Sequence, residues 1–198
     1  MYFQGSEAKI VLGVLFAIYL ISEMMISGAK RAGGHSGDRP DDRGSSRWFE
    51  LVFPLGWWIG IGVALIPGVW SREAYFGSAP VFGVGAVLMI GGLLLRWWSV
   101  ATLGRLFTVN VAIRAGHRLV DSGPYRYVRH PAYTAILLIQ LGTALCLGNL
   151  LSLIVLVVPV FAALCYRMRV EEDVLLSGLG QPYRDYMART KRLIPGVY

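Results

Sequence analysis

Five mostly apolar runs, each near the length that crosses a bilayer, constrain this chain more than any other feature. About 20 such residues form a helix that spans the hydrocarbon core, where every backbone polar group must be satisfied internally. The first run extends from Ala8 to about Ala29, the second from Leu51 to Trp70 and the third from Pro80 to Leu95. The fourth, Tyr133 to Leu147, and the fifth, Leu150 to Tyr166, are shorter and separated only by Gly148-Asn149, which reads as a tight helical turn. The fold class implied is an all-α integral membrane protein of about five transmembrane helices, the last two a short hairpin. Composition agrees, since only 16% of the 198 residues are charged against about 25% in soluble domains.

Positive charge sets the orientation. Lys30, Arg31, Arg39, Arg43 and Arg47 follow the first run. Arg96, Arg105, Arg114, Arg118, Arg126 and Arg129 lie between the third and fourth, and Arg167, Arg169, Arg184, Arg189, Lys191 and Arg192 fill the tail. Lys9 and Arg72 are left for the opposite face. The positive-inside rule then makes the C-terminus cytoplasmic and puts the N-terminus outside. Trp48, Trp70, Trp97 and Trp98 fall at run ends, as an aromatic belt requires. The net charge of +7 fits contact with anionic headgroups, and no nucleic-acid partner is expected.

Residues 1–6 read as the remnant of an expression tag and are set aside. Residues 7–95 form an N-terminal membrane region of three helices, and 96–198 a core containing a juxtamembrane segment, the helical hairpin and a cytoplasmic C-terminal segment. The loop from Lys30 to Arg47 is rich in Gly, Asp and Arg and reads as a linker. Between Arg96 and Pro131, by contrast, Leu106, Phe107, Val109, Val111, Ile113, Leu119 and Val120 are spaced among polar residues, which suits a folded piece lying on the membrane.

Chemistry concentrates beside the fourth and fifth runs. Gly123-Pro124 marks a turn, and Pro131 fits the first position of the next helix, so that His130 stands at its cap. Free N–H groups there favour an anionic group. Glu171 and Glu172 follow the fifth run directly. Carboxylates at a helix C-terminus oppose the macrodipole, so they fit only if the helix continues or if they bind a cation. A hairpin brings Arg129-His130-Pro131 and Glu171-Glu172 to one membrane face, and such groups are costly beside a bilayer unless solvated or paired.

Other features read as structure. Gly56 and Gly60, and Gly83, Gly85, Gly91 and Gly92, suit close helix packing. Glu23 near the end of the first run fits a pairing role slightly better than a direct site role. His35, His117 and His130 lack partners at metal-ligand spacing, so no metal is expected. Cys146 and Cys165 read as small buried hydrophobes rather than a disulfide.

Several segments resemble the isoprenylcysteine carboxyl methyltransferase family, in the manner of a prokaryotic integral-membrane member. They are Leu103-Gly104-Arg105-Leu106-Phe107-Thr108, Gly116 through Tyr125, and Val128-Arg129-His130-Pro131-Ala132-Tyr133. Glu171-Glu172 follows, with Leu175, Gly180, Tyr183, Tyr186, Arg189 and Pro195. The resemblance covers about Arg96 to Tyr198; the first half resembles the family only in being apolar. It implies S-adenosylmethionine as methyl donor, S-adenosylhomocysteine as product and a cofactor pocket on the cytoplasmic side. Carried over by position, His117, Leu119, Val120, Gly123, Tyr125, Arg129, His130, Pro131, Tyr133, Glu171 and Glu172 line that pocket. Arg189 matches a family arginine near the reacting carboxylate. One departure is Ala135, where many family members have Gly.

Methyl transfer from a sulfonium is an in-line displacement, for which positioning alone supplies about 7–11 kcal/mol. A carboxylate acceptor is already ionised and needs no base, and removing it from water beside the sulfonium favours neutralisation in the transition state. Arg189 is therefore assigned to acceptor orientation, and Glu171-Glu172 to the donor's ammonium or ribose hydroxyls. Were the acceptor an amine, Glu172 would be the candidate base. The expected function is membrane methyl transfer to a lipophilic acceptor within the bilayer, an isoprenylcysteine-like carboxylate first, a phospholipid amine or small thiol next. An NADPH-dependent membrane sterol or enone reductase is the rival reading, since such enzymes share the Arg-His-Pro-x-Tyr pattern but are generally longer.

Overall fold

The computed structural model describes residues 6–33, 54–63, 78–106 and 119–198. These residues form α1 (Ser6–Gly33), α2 (Pro54–Val63), α3 (Ala79–Leu103), α4 (Pro131–Leu147), α5 (Leu150–Leu179) and α6 (Gln181–Arg189). Helices α1, α3 and α5 are long and apolar enough to cross a membrane, whereas α2 and α4 are shorter apolar helices. The chain is thus an all-helical, multi-pass membrane protein. Five full-length spans are not seen among the described residues, and the outer parts of the second expected run lie outside them, as do Trp48, Trp70 and the Lys30–Arg47 loop save its first residues in α1.

Helix α3 has 25 residues and passes the expected end at Leu95. The reason is Arg96, which by sequence belongs with the charges between the third and fourth runs. Its guanidinium meets the Glu23 carboxylate of α1 in two bonds, Nε to Oε1 at 2.9 Å and NH2 to Oε2 at 3.1 Å. Arg96 is 5% exposed. A charge neutralised in this way no longer ends a span, and Glu23 has the pairing role its position suggested. At the other end Ser78 caps α3 and accepts from Val81 N–H, with Pro80 in the first turn.

Helix α5 has 30 residues, which at 1.5 Å each make about 45 Å. That exceeds the hydrocarbon thickness of about 30 Å. The apolar run ends at Tyr166, so the helix is long enough to continue beyond the hydrocarbon with Arg167, Arg169, Glu171, Glu172 and Asp173. Continuation is how the Glu pair avoids a helix C-terminus.

Between α4 and α5 the turn has the chemistry expected of a hairpin. Gly148 takes a left-handed φ of 66° as the C-cap of α4, and Asn149 accepts from Ser152 N–H at 3.0 Å as the N-cap of α5. Helices α3 and α4 approach closely through small residues. A Cβ on Gly85 would lie 2.6 Å from the Gly142 carbonyl, and one on Gly92 2.8 Å from the Ala135 carbonyl. Ala135 itself is fully buried, and its carbonyl lies against Gly92. Gly60 of α2 abuts Leu156 of α5, and its carbonyl accepts from Ser152 Oγ at 3.0 Å. Trp57 stacks on Phe16 and Tyr19 of α1 with centroids 4.7 and 5.4 Å apart. Cys146 and Cys165 are free thiols.

Candidate active site

The site begins with a backbone constraint. Gly123 has φ 56°, and a Cβ there would lie 2.8 Å from Thr102 Oγ1 and 3.3 Å from Trp98 Nε1 at the end of α3. Only glycine meets both conditions, so the chain turns tightly under α3 and enters a 3-10 turn, Gly123–Arg126. Tyr125 is buried, and its carbonyl accepts from Tyr186 OH of α6 at 2.6 Å. Burial first, then the nearby Glu171 and Tyr133, push the Tyr125 hydroxyl above its ordinary pKa, and Tyr186 is pushed up to about 12, chiefly by burial. Both phenols stay neutral, and that of Tyr186 is a donor.

After the turn, residues 128–130 run beside residues 191–193. Val128 and Lys191 form a parallel bridge, Arg129 N–H donates to Lys191 O at 2.8 Å, and His130 N–H to Arg192 O at 3.0 Å. Thr134 Oγ1 adds a bond to Leu193 O at 2.8 Å. His130 is the N-cap of α4 with Pro131 at the first helical position. Its carbonyl accepts from the Tyr133 and Thr134 N–H groups.

The side chains converge on α5. Glu172 Oε1 receives Arg129 Nε at 2.8 Å and faces His130 Nε2 at 3.2 Å. Arg192 closes the other side, with Nε 3.0 Å and NH2 2.6 Å from Oε2. Burial by itself would raise the Glu172 carboxyl, but hydrogen bonds from His130, Arg192 and Arg129 outweigh it and hold it well below the ordinary carboxylate range. Glu172 is therefore a fixed anion and a weak base. One residue earlier, Glu171 Oε2 accepts from Tyr133 OH at 2.8 Å and lies 3.8 Å from His130 Nδ1. Tyr133 OH also accepts from Arg167 Nε at 2.8 Å, which anchors this side of the cluster to α5. His130 and Tyr133 stack with centroids 5.4 Å apart.

Of the residues expected at the site, Arg129, His130, Tyr133, Glu171 and Glu172 form one connected cluster. Pro131 starts the helix beneath it, while Gly123 and Tyr125 shape its approach. Leu119 and Val120 are half-buried just upstream. His117 lies outside the described residues. Arg189 is not in the cluster: it is exposed and pairs with Asp121. At the helix N-terminus, read as attractive to an anionic ligand, the His130 ring meets the chain's own Glu172. Arg192 and Arg167 were not singled out from sequence, because their partners lie 20 and 34 positions away and neither sits in a local motif.

These features define a class, multi-pass helical membrane proteins with a carboxylate-centred polar cluster at one end of the bundle. Within it, residues 85–177 match the family model described as the isoprenylcysteine carboxyl methyltransferase (ICMT) family. The chain is 35% identical over 115 residues to protein-S-isoprenylcysteine O-methyltransferase B of Arabidopsis thaliana, covering 57% of this chain and 58% of that protein. It is 32% identical over 134 residues to the protein-S-isoprenylcysteine O-methyltransferase of Dictyostelium discoideum, covering 65% and 56%. The chain thus spans little more than half the length of these relatives. In fold it resembles a solved structure of the eukaryotic intramembrane Ras methyltransferase ICMT, with a TM-score of 0.56 at 19% identity, covering 96% of this chain and 86% of that one. The likeness of fold extends through the N-terminal half, where sequence offered only apolarity. The prokaryotic affiliation read from the sequence is not borne out, since these relatives are eukaryotic.

Proposed function

We propose that this chain is a member of that family, transferring the methyl group of S-adenosylmethionine to a lipophilic acceptor, the carboxylate of an isoprenylcysteine-like group. The observation that carries this reading is the meeting of Arg129-His130 at the start of α4 with Glu171-Glu172 on the extension of α5.

The donor set fits the methyl donor. An ammonium and two ribose hydroxyls need hydrogen-bond acceptors, and a carboxylate with an oxygen not already taken up by a cation supplies them. Glu172 is fully engaged by arginines, whereas Glu171 is 28% exposed and, among the described residues, engaged through Oε2 alone. Glu171 is thus the carboxylate that receives the ammonium or ribose hydroxyls, with Tyr133 orienting it. Gly123 gives close backbone approach, and Leu119, Val120 and Tyr125 supply apolar surface for the adenine. S-adenosylmethionine supplies an electrophilic methyl group when bound. The work of the protein is then apposition.

The fixed anion at Glu172 bears on the acceptor. An amine must lose a proton, and a carboxyl group held far below its ordinary pKa accepts one poorly. A carboxylate acceptor needs no base, so it is favoured. Arg189 exchanges its exposed partner Asp121 for the acceptor carboxylate. The acceptor's apolar part occupies a cavity of about 300 Å³ between α1, α2 and α4, lined by Phe16, Leu20, Trp57, Ile61 and Ile136. Ile136 is one turn beyond Tyr133. By the positive-inside rule the cluster faces the cytoplasm, where the soluble donor is found.

Two measurements on the detergent-solubilised chain test this. Calorimetry is expected to show binding of S-adenosylhomocysteine, and radiolabelled S-adenosylmethionine with N-acetyl-S-farnesylcysteine to yield a base-labile methyl ester. Arg189→Ala is expected to lower transfer on the order of 10²-fold, the effect of losing one charge-stabilising donor, with product affinity unchanged. Absence of S-adenosylhomocysteine binding by the wild-type chain removes the reading.

A further inference from the structure

Arg192 carries an inference that rests on the methyl-donor reading and extends it. Its backbone carbonyl accepts His130 N–H at 3.0 Å. Its guanidinium spans Glu172, 3.2 Å from Oε1 through Nε and 2.6 Å from Oε2 through NH2. NH1 donates to Tyr198 OH at 3.3 Å. One residue therefore fixes both the segment that starts α4 and the carboxylate on α5.

A tail fastener alone does not account for this arrangement, because Arg129 already has that role. Its NH1 group donates to the Met187 and Thr190 carbonyls, which ties the end of α6 to the cluster. Arg129 is also the more buried of the two, at 9% against 25% side-chain exposure. Arg192 stands at the open edge and spends its guanidinium on Glu172 and Tyr198. Two guanidiniums on one carboxylate leave an excess positive charge beside Glu171.

We infer that Arg192 is a positioning residue for the methyl donor: by occupying both oxygens of Glu172 it withholds that carboxylate from the ligand and leaves Glu171 to receive the donor's cationic and hydroxyl groups. Adjacent carboxylates on one helix turn would otherwise compete for a single ammonium, and the donor would have two registers. Charge-assisted bidentate pairing of the Arg192 kind fixes geometry as well as charge.

The test is S-adenosylhomocysteine binding between pH 4 and 8, by calorimetry in detergent, for wild type, Arg192→Met, Arg192→Lys, Glu171→Gln, Glu172→Gln and Arg192→Met in a Glu172→Gln background. Arg129, His130, Glu171 and Tyr183 also face Glu172, and they are common to the wild-type and Arg192→Met proteins. Arg192→Met is expected to weaken binding about tenfold, the worth of one hydrogen bond to a charged group, with Arg192→Lys between it and wild type. The loss of binding on acidification is expected to begin at higher pH in Arg192→Met than in wild type, because Glu172 has lost a partner of its charged form. In the Glu172→Gln background that displacement should vanish. Glu171→Gln should weaken binding more than Glu172→Gln. If Arg192→Met does not fold, the Arg192→Lys profile decides, with a smaller displacement of the same sign. Unchanged binding in the Arg192 variants, or a weakening equal at every pH that persists with Glu172→Gln, overturns the inference alone. No binding by the wild-type chain overturns it together with the methyl-donor reading.

Discussion

Glu172 is 4% exposed and still charged, because Arg129, Arg192 and His130 each offer it a hydrogen bond. Desolvation of a lone carboxylate would cost several kcal/mol, and the pairing repays it only while all partners are present. Glu172→Gln removes the anion and leaves two guanidiniums facing each other. The expected loss is about 3–5 kcal/mol, the range for breaking a buried pair at one end, read from denaturant unfolding in detergent. The wild-type pH dependence has a definite sign. The folded-state value lies below the ordinary 4.5, so this contribution is full above that pH and fades as pH falls further below it. Glu172→Gln should flatten that acid limb, and an identical limb in both proteins would refute the assignment. Arg189 and Asp121 form a contrast, since both are about half exposed or more and such pairs contribute little to stability. On the proposed function, Arg189 matters for the acceptor it meets, not for what it holds.

Helix packing explains which glycines of α3 are needed. Gly85 and Gly92 face α4, while Gly83 and Gly91 have open space where a Cβ would lie. Gly85→Ala would press a methyl group on the Gly142 carbonyl and Cys146, and the backbones must separate. Overpacking of this kind costs about 1–3 kcal/mol. Gly83→Ala should instead be neutral or stabilising by about 0.5–1 kcal/mol, the difference in helix preference. Thermal denaturation of the two variants checks the pair, and equal shifts would show that α3 does not meet α4 through that face. Sequence indicated that glycines in this run serve packing, yet it could not choose among four of them, because the choice depends on how α3 is rotated toward its neighbour. It also ended α3 too early, at Leu95. The residue that lets Arg96 stay in the helix, Glu23, is 73 positions away. The hairpin was legible because Gly148 and Asn149 carry their turn and cap chemistry locally.

Across the bundle, α1, α3 and α5 deliver Glu23, Arg96 and Glu172 to one level, and α4 begins there with His130. That convergence could be read from the hairpin, since two helices joined by two residues must return to the same face. The pairing of residues 128–130 with 191–193 could not, because isolated β pairing leaves no periodic trace and the tail has only one short helix before it. Nor did sequence find a reason for Trp57, which proves to stack on Phe16 and Tyr19 and to wall the cavity between α1, α2 and α4. The cavity allows a last prediction about length selection. Glu23 and Ser27 also line it, and Ile136 stands one turn from Tyr133, so on the proposed reading an apolar chain lying in it has its head toward the cluster. Leu20 lines the cavity and is 45% exposed, so Leu20→Trp can narrow the space without forcing a buried side chain aside. Removing room for even one methylene is worth about 10–200-fold in discrimination. If the proposed function holds, Leu20→Trp should therefore raise the acceptor KM about tenfold for a farnesyl chain, much less for a short alkyl chain, and leave S-adenosylhomocysteine affinity within about twofold. Val14→Trp, at an exposed apolar position outside the cavity lining, is the control and should change neither. Equal effects on long and short acceptors would place the apolar chain elsewhere on the protein, whereas a selective effect ties acceptor length to the α1–α2 face.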